Sequence, residues 1–257
     1  MKSMFQFNNK VALVVGGTGG IGQHIVRGLV AGGAKVAFSY RSNAAVAEQL
    51  VSELAKQEKN CIALQGDIRD ISSTRKLVQA TVQEFGGIDI LINTAGWHTM
   101  CPFLEETSEN IEAVIDVEFR GVIYLVRAAL PSLLQRHGKI VFVGSDSGKV
   151  GNTGMAVSAG CRGAINAFAK SLAREYARDG VLVNVVAPGP TDDELWKHFK
   201  TQSEWASKIA TAMERAIPLR RLPRPEEVAA VALFLSSDAN TVITGQVVSA
   251  SGGLTMC

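Results

Sequence analysis

Nowhere in the 257 residues do about eighteen apolar side chains run together, the length needed to span a bilayer. The opening stretch, Met1 to Lys10, also lacks the apolar core of a signal segment. A soluble, cytoplasmic protein is the expectation. Charge of one sign is scarce too: 26 Lys and Arg against 24 Asp and Glu leave a formal net charge of +2, with no basic run. Nucleic acid and membrane surfaces are thereby set aside, leaving a small molecule and further copies of the chain as partners. Cysteine is sparse, and Cys61, Cys101, Cys161 and Cys257 have neither paired nor metal-ligand spacing, so reduced thiols and no metal site are expected. No repeat, linker or low-complexity tract divides the chain, which predicts one domain over 1–257.

A hydrophobic content of 47% against 19% charge is enough for one large buried α/β core. Lys10 to Val15 is a short, Val-rich run closed by glycines, and it predicts a buried parallel strand. The glycine turn Gly16-Gly17-Thr18-Gly19-Gly20-Ile21-Gly22 follows and opens a helix to Ala31. Between a strand and a helix, such spacing gives a tight turn and close backbone approach to a pyrophosphate at the helix amino end. A plain turn is the weaker alternative. Further strands are predicted at Lys35–Tyr40, Cys61–Leu64, Ile88–Ile92, the run before Ser145, Val181–Ala187 and 243–248. Helices are predicted at Ala44–Gln57, Ser72–Phe85, Ser108–Leu130, from the Ser158 region to Ala177, and at Pro225–Ser236. Alternation of this kind predicts a single-domain, Rossmann-like doubly wound parallel sheet with helices on both faces.

The strand at Lys35–Tyr40 ends in Ser39, Tyr40, Arg41 and Ser42, with no carboxylate to accept from a ribose 2′-hydroxyl and one fixed cation. NADP(H) is therefore favoured over NAD(H), the alternative being that Arg41 is a solvated loop residue.

Taken with the glycine turn, Asn93-Thr94-Ala95-Gly96, Pro188-Gly189-Pro190-Thr191 and the segment Ser145 to Gly163, the whole chain resembles the short-chain dehydrogenase/reductase family. The resemblance implies cofactor contacts at Gly16, Thr18, Gly20, Ile21, Gly22, Tyr40, Arg41, Ser42, Asp67, Ile68, Asn93, Ala95, Gly96, Arg162, Pro188, Gly189 and Thr191. Asp67 would accept from the adenine amino group, and it equally suits a helix amino cap. A homotetramer is the family expectation. The helical insertion Asp192–Arg221, with Leu195, Trp196, Phe199, Trp205, Ile209 and Met213, corresponds to a substrate lid; its apolar face implies a largely apolar substrate, or ordinary packing of an amphipathic segment. Asp193 stands where many relatives have Thr, and Ser251-Gly252-Gly253 replaces Asp-Gly-Gly, a change without an interpretation at this level.

The catalytic pattern departs from the resemblance. Relatives normally carry Tyr and Lys where this chain has Ser158 and Arg162, four residues apart on one helix face. Many also carry Asn where Glu118 stands. A serine hydroxyl is a far weaker acid than a phenol, and a guanidinium keeps its proton, so neither inherits the usual role. Of the three tyrosines, Tyr40 is at the adenosine end, Tyr124 lies about 600° around its helix from Glu118, and Tyr176 lies roughly 21 Å beyond Arg162. Ser145 and Ser158 are expected to donate to a substrate oxygen, with Arg162 on the ribose hydroxyls and paired to Glu118, directly or through water; a solvated Glu118 is the alternative. His98 is a pocket-rim residue or an acid-base. The Ser158-x-x-x-Arg162 spacing resembles peroxisomal trans-2-enoyl-CoA reductases, and dienoyl-CoA reductases share the Ser but use an upstream Tyr that has no counterpart near Ser147. Three readings stay open: an NADP(H)-dependent oxidoreductase reducing a carbonyl or an activated alkene such as an enoyl thioester, a non-redox cyclase, isomerase or lyase-like enzyme, and a catalytically silent NADP(H)-binding protein. Halohydrin dehalogenases illustrate the second, although they lose the cofactor glycines retained here.

Overall fold

The computed structural model describes residues 5–54 and 60–257. Seven parallel strands form one sheet in the order β3-β2-β1-β4-β5-β6-β7, with β1 Val11–Val15, β2 Lys35–Tyr40, β3 Cys61–Gln65, β4 Ile90–Asn93, β5 Lys139–Val143, β6 Leu182–Pro188 and β7 Val247–Ala250. Nearly every residue of β1, β2, β4, β5 and β6 is buried, because helices cover both faces and no strand needs a polar side. One face packs on α1 Gly20–Ala31, α2 Ala44–Leu54 and a helix at Pro225–Ser236; Ile25, Leu29, Leu50 and Ala232 meet Val14, Phe38 and Ile92 there. The other packs on α3 Ile71–Phe85, a helix at Gly121–Gln135 and one at Ala156–Tyr176, through Leu77, Leu125, Ile165 and Leu172. The strand order reverses between β1 and β4, and their carboxyl ends open a crevice there.

Element boundaries fall within about two residues of the sequence reading at most termini, the usual scatter where ends fray. The end of the predicted helix Ala44–Gln57 lies outside the described residues. Asp70, and not Asp67, caps α3: its side chain accepts from Ser72 N at 2.8 Å. The largest difference is in the predicted helix Ser108–Leu130. It is α4 Ser108–Ile115, a π-helical turn Asp116–Arg120, and α5 Gly121–Gln135. α5 runs past Pro131, which the burial of Leu133 accounts for by holding the last turn on the core. An unexpected short helix, α6 Ser147–Val150, precedes α7 Ala156–Tyr176. The insertion forms α8 Glu194–Gln202 and α9 Glu204–Ala216, and α10 Pro225–Ser236 follows.

Trp196, Phe199, Ala206 and Ala210 of α8 and α9 bury against Met100 and Met155, a small core separate from the two beside the sheet. Trp196 Nε1 and Lys200 Nζ both donate to Glu214, at 2.9 and 2.7 Å, so the two lid helices are tied to each other. Part of the apolar face expected to meet substrate, Trp196 and Phe199 included, thus also packs the lid itself.

Candidate active site

Two cavities open along the carboxyl ends of the strands and meet at Thr94 and Gly96, which line both. The first cavity lies over β1, β2 and β3 and is bounded by Gly16, Thr18, Gly19, Tyr40, Arg41, Ser42, Asn43, Asp67, Ile68, Ala95 and Gly96. The glycine turn reaches it because Gly16 has φ +81°, and a Cβ there would come within 2.7 Å of Thr94 Oγ1 and 2.8 Å of Ala95 N. Thr94 Oγ1 donates toward the Val15 and Gly16 carbonyls, both at 2.9 Å, pinning the turn to β4; Ser39 Oγ accepts from Gly16 N at 3.3 Å. These two side chains were missed in the sequence, where their small size was the only signal. Asp67 holds Arg69 in a two-pronged ion pair, with Nη2 at 2.5 Å from Oδ2. The Arg69 hydrogen bonds, against a smaller cost of burial, keep the Asp67 carboxyl below the usual carboxylate range.

Gly20, Gly22 and Asn93 line neither cavity. Gly22 is buried against the Gly16 carbonyl, and Asn93 is enclosed in β4 with no hydrogen-bond partner for Oδ1 among the described residues. Over Gly20 lies Asp193: a Cβ on that glycine would come within 3.1 Å of Asp193 Oδ2. Asp193 caps α8, accepting from Trp196 N at 2.9 Å, yet burial raises its carboxyl above the ordinary value, outweighing the backbone hydrogen bonds from Trp196 and Leu195.

The second cavity, about 800 Å³ with its open mouth, is lined by Ile21, His98, Ser145, Ser158 and Arg162, by the Pro188 to Thr191 turn, and by Leu195, Trp196, Phe199 and Met213 from the lid. No tyrosine lines it. Ser145 Oγ accepts from Ser147 N at 3.2 Å and from Ser147 Oγ at 2.9 Å. Asp146 beside it is buried and accepts from Thr255 Oγ1 at 3.2 Å; desolvation raises its carboxyl despite that bond. Ser251, whose change had no interpretation, packs under the Gly189 turn and accepts from Thr255 N at 3.1 Å.

Behind the cavity wall stands Glu118, fully enclosed, in the middle of the π turn. Its Oε1 accepts from Arg162 Nη2 at 2.7 Å, so the expected pair is direct. Its Oε2 accepts from Ser158 Oγ at 2.6 Å. Burial opposes the Glu118 charge, but Arg162, His98 and Ser158 together outweigh it and hold the carboxyl below its ordinary value. Two sequence expectations change. Ser158 gives its single hydrogen to Glu118 and presents lone pairs, not a donor, to the cavity. Glu118 reaches no cavity surface and acts through its neighbours. Arg162 is also committed, with Nη1 donating to Val143 O at 3.0 Å. Gly96 allows the arrangement: a Cβ there would collide with Arg162 Nη2.

His98 lies at the same carboxylate, Nδ1 3.7 Å from Glu118 Oε1, with its ring 4.4 Å from that of Phe199 on α8. Its Nε2 is buried and has no hydrogen-bond partner among the described residues. Among the described residues no cluster of His, Cys, Asp and Glu could hold a metal ion, and no helix is long and apolar enough to cross a membrane.

A family model described as Enoyl-(Acyl carrier protein) reductase matches residues 16–255. The chain is 34% identical over 257 residues to 2,3-dihydroxy-2,3-dihydro-p-cumate dehydrogenase of Pseudomonas putida, covering 99% of this chain and 98% of that one. It is 33% identical to 3-oxoacyl-[acyl-carrier-protein] reductase of Synechocystis, covering 96% and 97%. A solved dehydrogenase/reductase from Sinorhizobium meliloti superposes with a TM-score of 0.89 at 29% identity, covering 98% and 97% of the two chains.

Proposed function

The chain belongs to the short-chain dehydrogenase/reductase family, and from that premise we propose that it is an NADP(H)-dependent oxidoreductase with an atypical site, reducing a carbonyl or an activated alkene on a largely apolar substrate. The observation behind this reading is that the two cavities lie side by side with Thr94 and Gly96 as shared wall. A ligand laid along them runs from Arg41, past the glycine turn, to Ser158 and the lid. The residues present fit a dinucleotide: Gly16, Thr18 and Gly19 leave backbone free to approach a pyrophosphate, Asp67 and Ile68 border an adenine position, and Pro188, Gly189 and Thr191 border a nicotinamide position. Tyr40, Arg41, Ser42 and Asn43 include no carboxylate, which favours a 2′-phosphate.

When bound, NADP(H) supplies the hydride. The chain's own residues orient the substrate and manage charge. Arg162, fixed by Glu118 and Val143 O, adds positive field where negative charge develops on a substrate oxygen, and the cost of orienting it is met in folding. Ser145 retains its hydroxyl hydrogen for a ligand, since its contact to Asp146 Oδ1 is long at 3.5 Å. Leu195, Trp196, Phe199 and Met213 exclude water on the lid side. A cytoplasmic homotetramer completes the reading, on family grounds.

Fluorescence titration with NADPH and NADH, followed by stopped-flow NADPH oxidation against ketones and enoyl thioesters, tests it. Tighter NADPH binding and turnover of one substrate class are expected. Binding of neither nucleotide overturns it and favours non-redox chemistry at Ser145, Ser158 and Arg162; binding without turnover of any substrate favours a silent cofactor-binding protein.

A further inference from the structure

A hydride-transfer site that reduces a carbonyl needs a proton for the oxygen, and most polar groups around the second cavity are poorly placed to give one. Ser158 has its hydrogen on Glu118. Arg162 keeps its protons at any working pH. Ser145 is a weak acid whose oxygen accepts from Ser147. Asp146 is tied down by Thr255, and Asp193 is spent on capping α8. The tyrosines are elsewhere. His98 remains.

We propose that His98 is the proton donor of this site and that the substrate class is accordingly a carbonyl, with the matching secondary alcohol in the reverse direction. The inference rests on the proposed function above. Glu118 faces Nδ1 at 3.7 Å, an ion-pair distance and not a hydrogen bond, and an enclosed carboxylate on that side favours a hydrogen on Nδ1. Nε2 is then the nitrogen assigned the working proton; it has no hydrogen-bond partner among the described residues and is enclosed in this structure, so its use requires the ring to turn that edge toward the second cavity, which His98 lines. The Phe199 ring packs against the imidazole, with centroids 4.4 Å apart and planes tilted by 32°. The same carboxylate binds Ser158 and Arg162, so the donor, the hydroxyl and the guanidinium are referenced to one point. The step balances simply. The carbonyl carbon gains a hydride from the reduced nicotinamide, and the oxygen gains the Nε2 proton as the C=O π pair becomes the O–H bond. Imidazolium becomes neutral imidazole and is reprotonated from water. Glu118 is a positioning residue in this scheme.

The charged and titratable groups facing the ring come from several elements. Glu118 is on the π turn and Arg162 on α7; His198 is beside Phe199 on α8; Asp146 and Asp193 are on the remaining cavity walls. On the loop of His98 itself, Glu106 already accepts from Thr99 and Cys101. Among the described residues only Glu118 makes an ion-pair contact with the ring.

The test uses wild type, His98→Gln and His98→Ala. His98→Gln is expected to bind NADPH as wild type does, to lose roughly a hundredfold or more in kcat for ketone reduction, and to lose the alkaline fall of the pH–rate profile. His98→Ala is expected to regain part of its rate on addition of free imidazole. Independently of activity, ¹⁵N NMR of imidazole-labelled protein is expected to show neutral His98 protonated on Nδ1. A His98→Gln rate within threefold of wild type, an unchanged alkaline limb, no imidazole rescue, or hydrogen on Nε2 in the neutral ring overturns the proposal. Wild type that binds neither nucleotide overturns the proposed function itself, and the proton-donor role with it.

Discussion

Glu118 and Arg162 form an ion pair at 2.7 Å in which the carboxylate exposes none of its surface and the guanidinium side chain about a tenth. Such a pair is costly to desolvate and costlier still to break, because the survivor keeps its charge without a partner.

Removing one partner is therefore expected to destabilise the fold by about 3–5 kcal/mol in Glu118→Gln or Arg162→Ala. Arg162→Ala is also expected to abolish turnover. The double variant Glu118→Leu with Arg162→Met should recover most of the stability and none of the activity. Urea denaturation monitored by circular dichroism, alongside NADPH oxidation, checks all three; a double variant no more stable than the worse single one would contradict the account.

The same pair has a pH signature. The folded-state carboxyl of Glu118 sits below its ordinary value of 4.5, so the stability it contributes is present above that value and is lost as pH falls through the lower, folded one. Wild type should lose stability more steeply on the acid side than Glu118→Gln, as read from chemical denaturation between neutral and acid pH.

Asp193 has the opposite sign. Burial raises its carboxyl, so its contribution is present below about 3.8 and disappears as pH rises through the folded value. Asn caps a helix as well as Asp does. Asp193→Asn should thus be more stable than wild type at neutral pH, and roughly three- to tenfold tighter for NADPH once an anion is removed from above Gly20. Melting curves and nucleotide fluorescence give both numbers.

Arg41 lines the dinucleotide cavity at the end of β2. Arg41→Ala should weaken NADPH by roughly tenfold or more while leaving NADH nearly unchanged. Equal losses for both nucleotides would locate the guanidinium away from the 2′-phosphate.

Ser158→Tyr alone should not yield efficient ketone reduction. The serine oxygen lies 2.6 Å from the enclosed Glu118 carboxylate, whose charge would oppose ionisation of a phenol placed there, and Arg162 is already committed to Glu118 and Val143 O. Steady-state rates over a ketone panel decide it.

The sheet was legible because parallel strands buried on both faces read as unbroken Val and Ile runs between glycines, as at Val11–Val15. The glycine turn was legible from its own spacing, and the Glu118–Arg162 pair from two departures from the family pattern that complement each other in charge. The rest depended on where distant segments meet. The π turn at Asp116–Arg120 leaves no mark in hydrophobic periodicity, since five residues are too few to shift a pattern detectably. The direction of the Ser158 hydroxyl followed only from the Glu118 position. Phe199 on His98, and Asp193 over Gly20, join a lid to elements about a hundred or more residues earlier.

The tie from Trp196 and Lys200 to Glu214 joins α8 and α9 into one unit. Because Phe199 belongs to that unit and lies against the imidazole, the packing of the lid bears directly on how His98 is held beside Glu118. A substitution in the lid that never touches a ligand, at Phe199 for instance, would thus be felt at the imidazole.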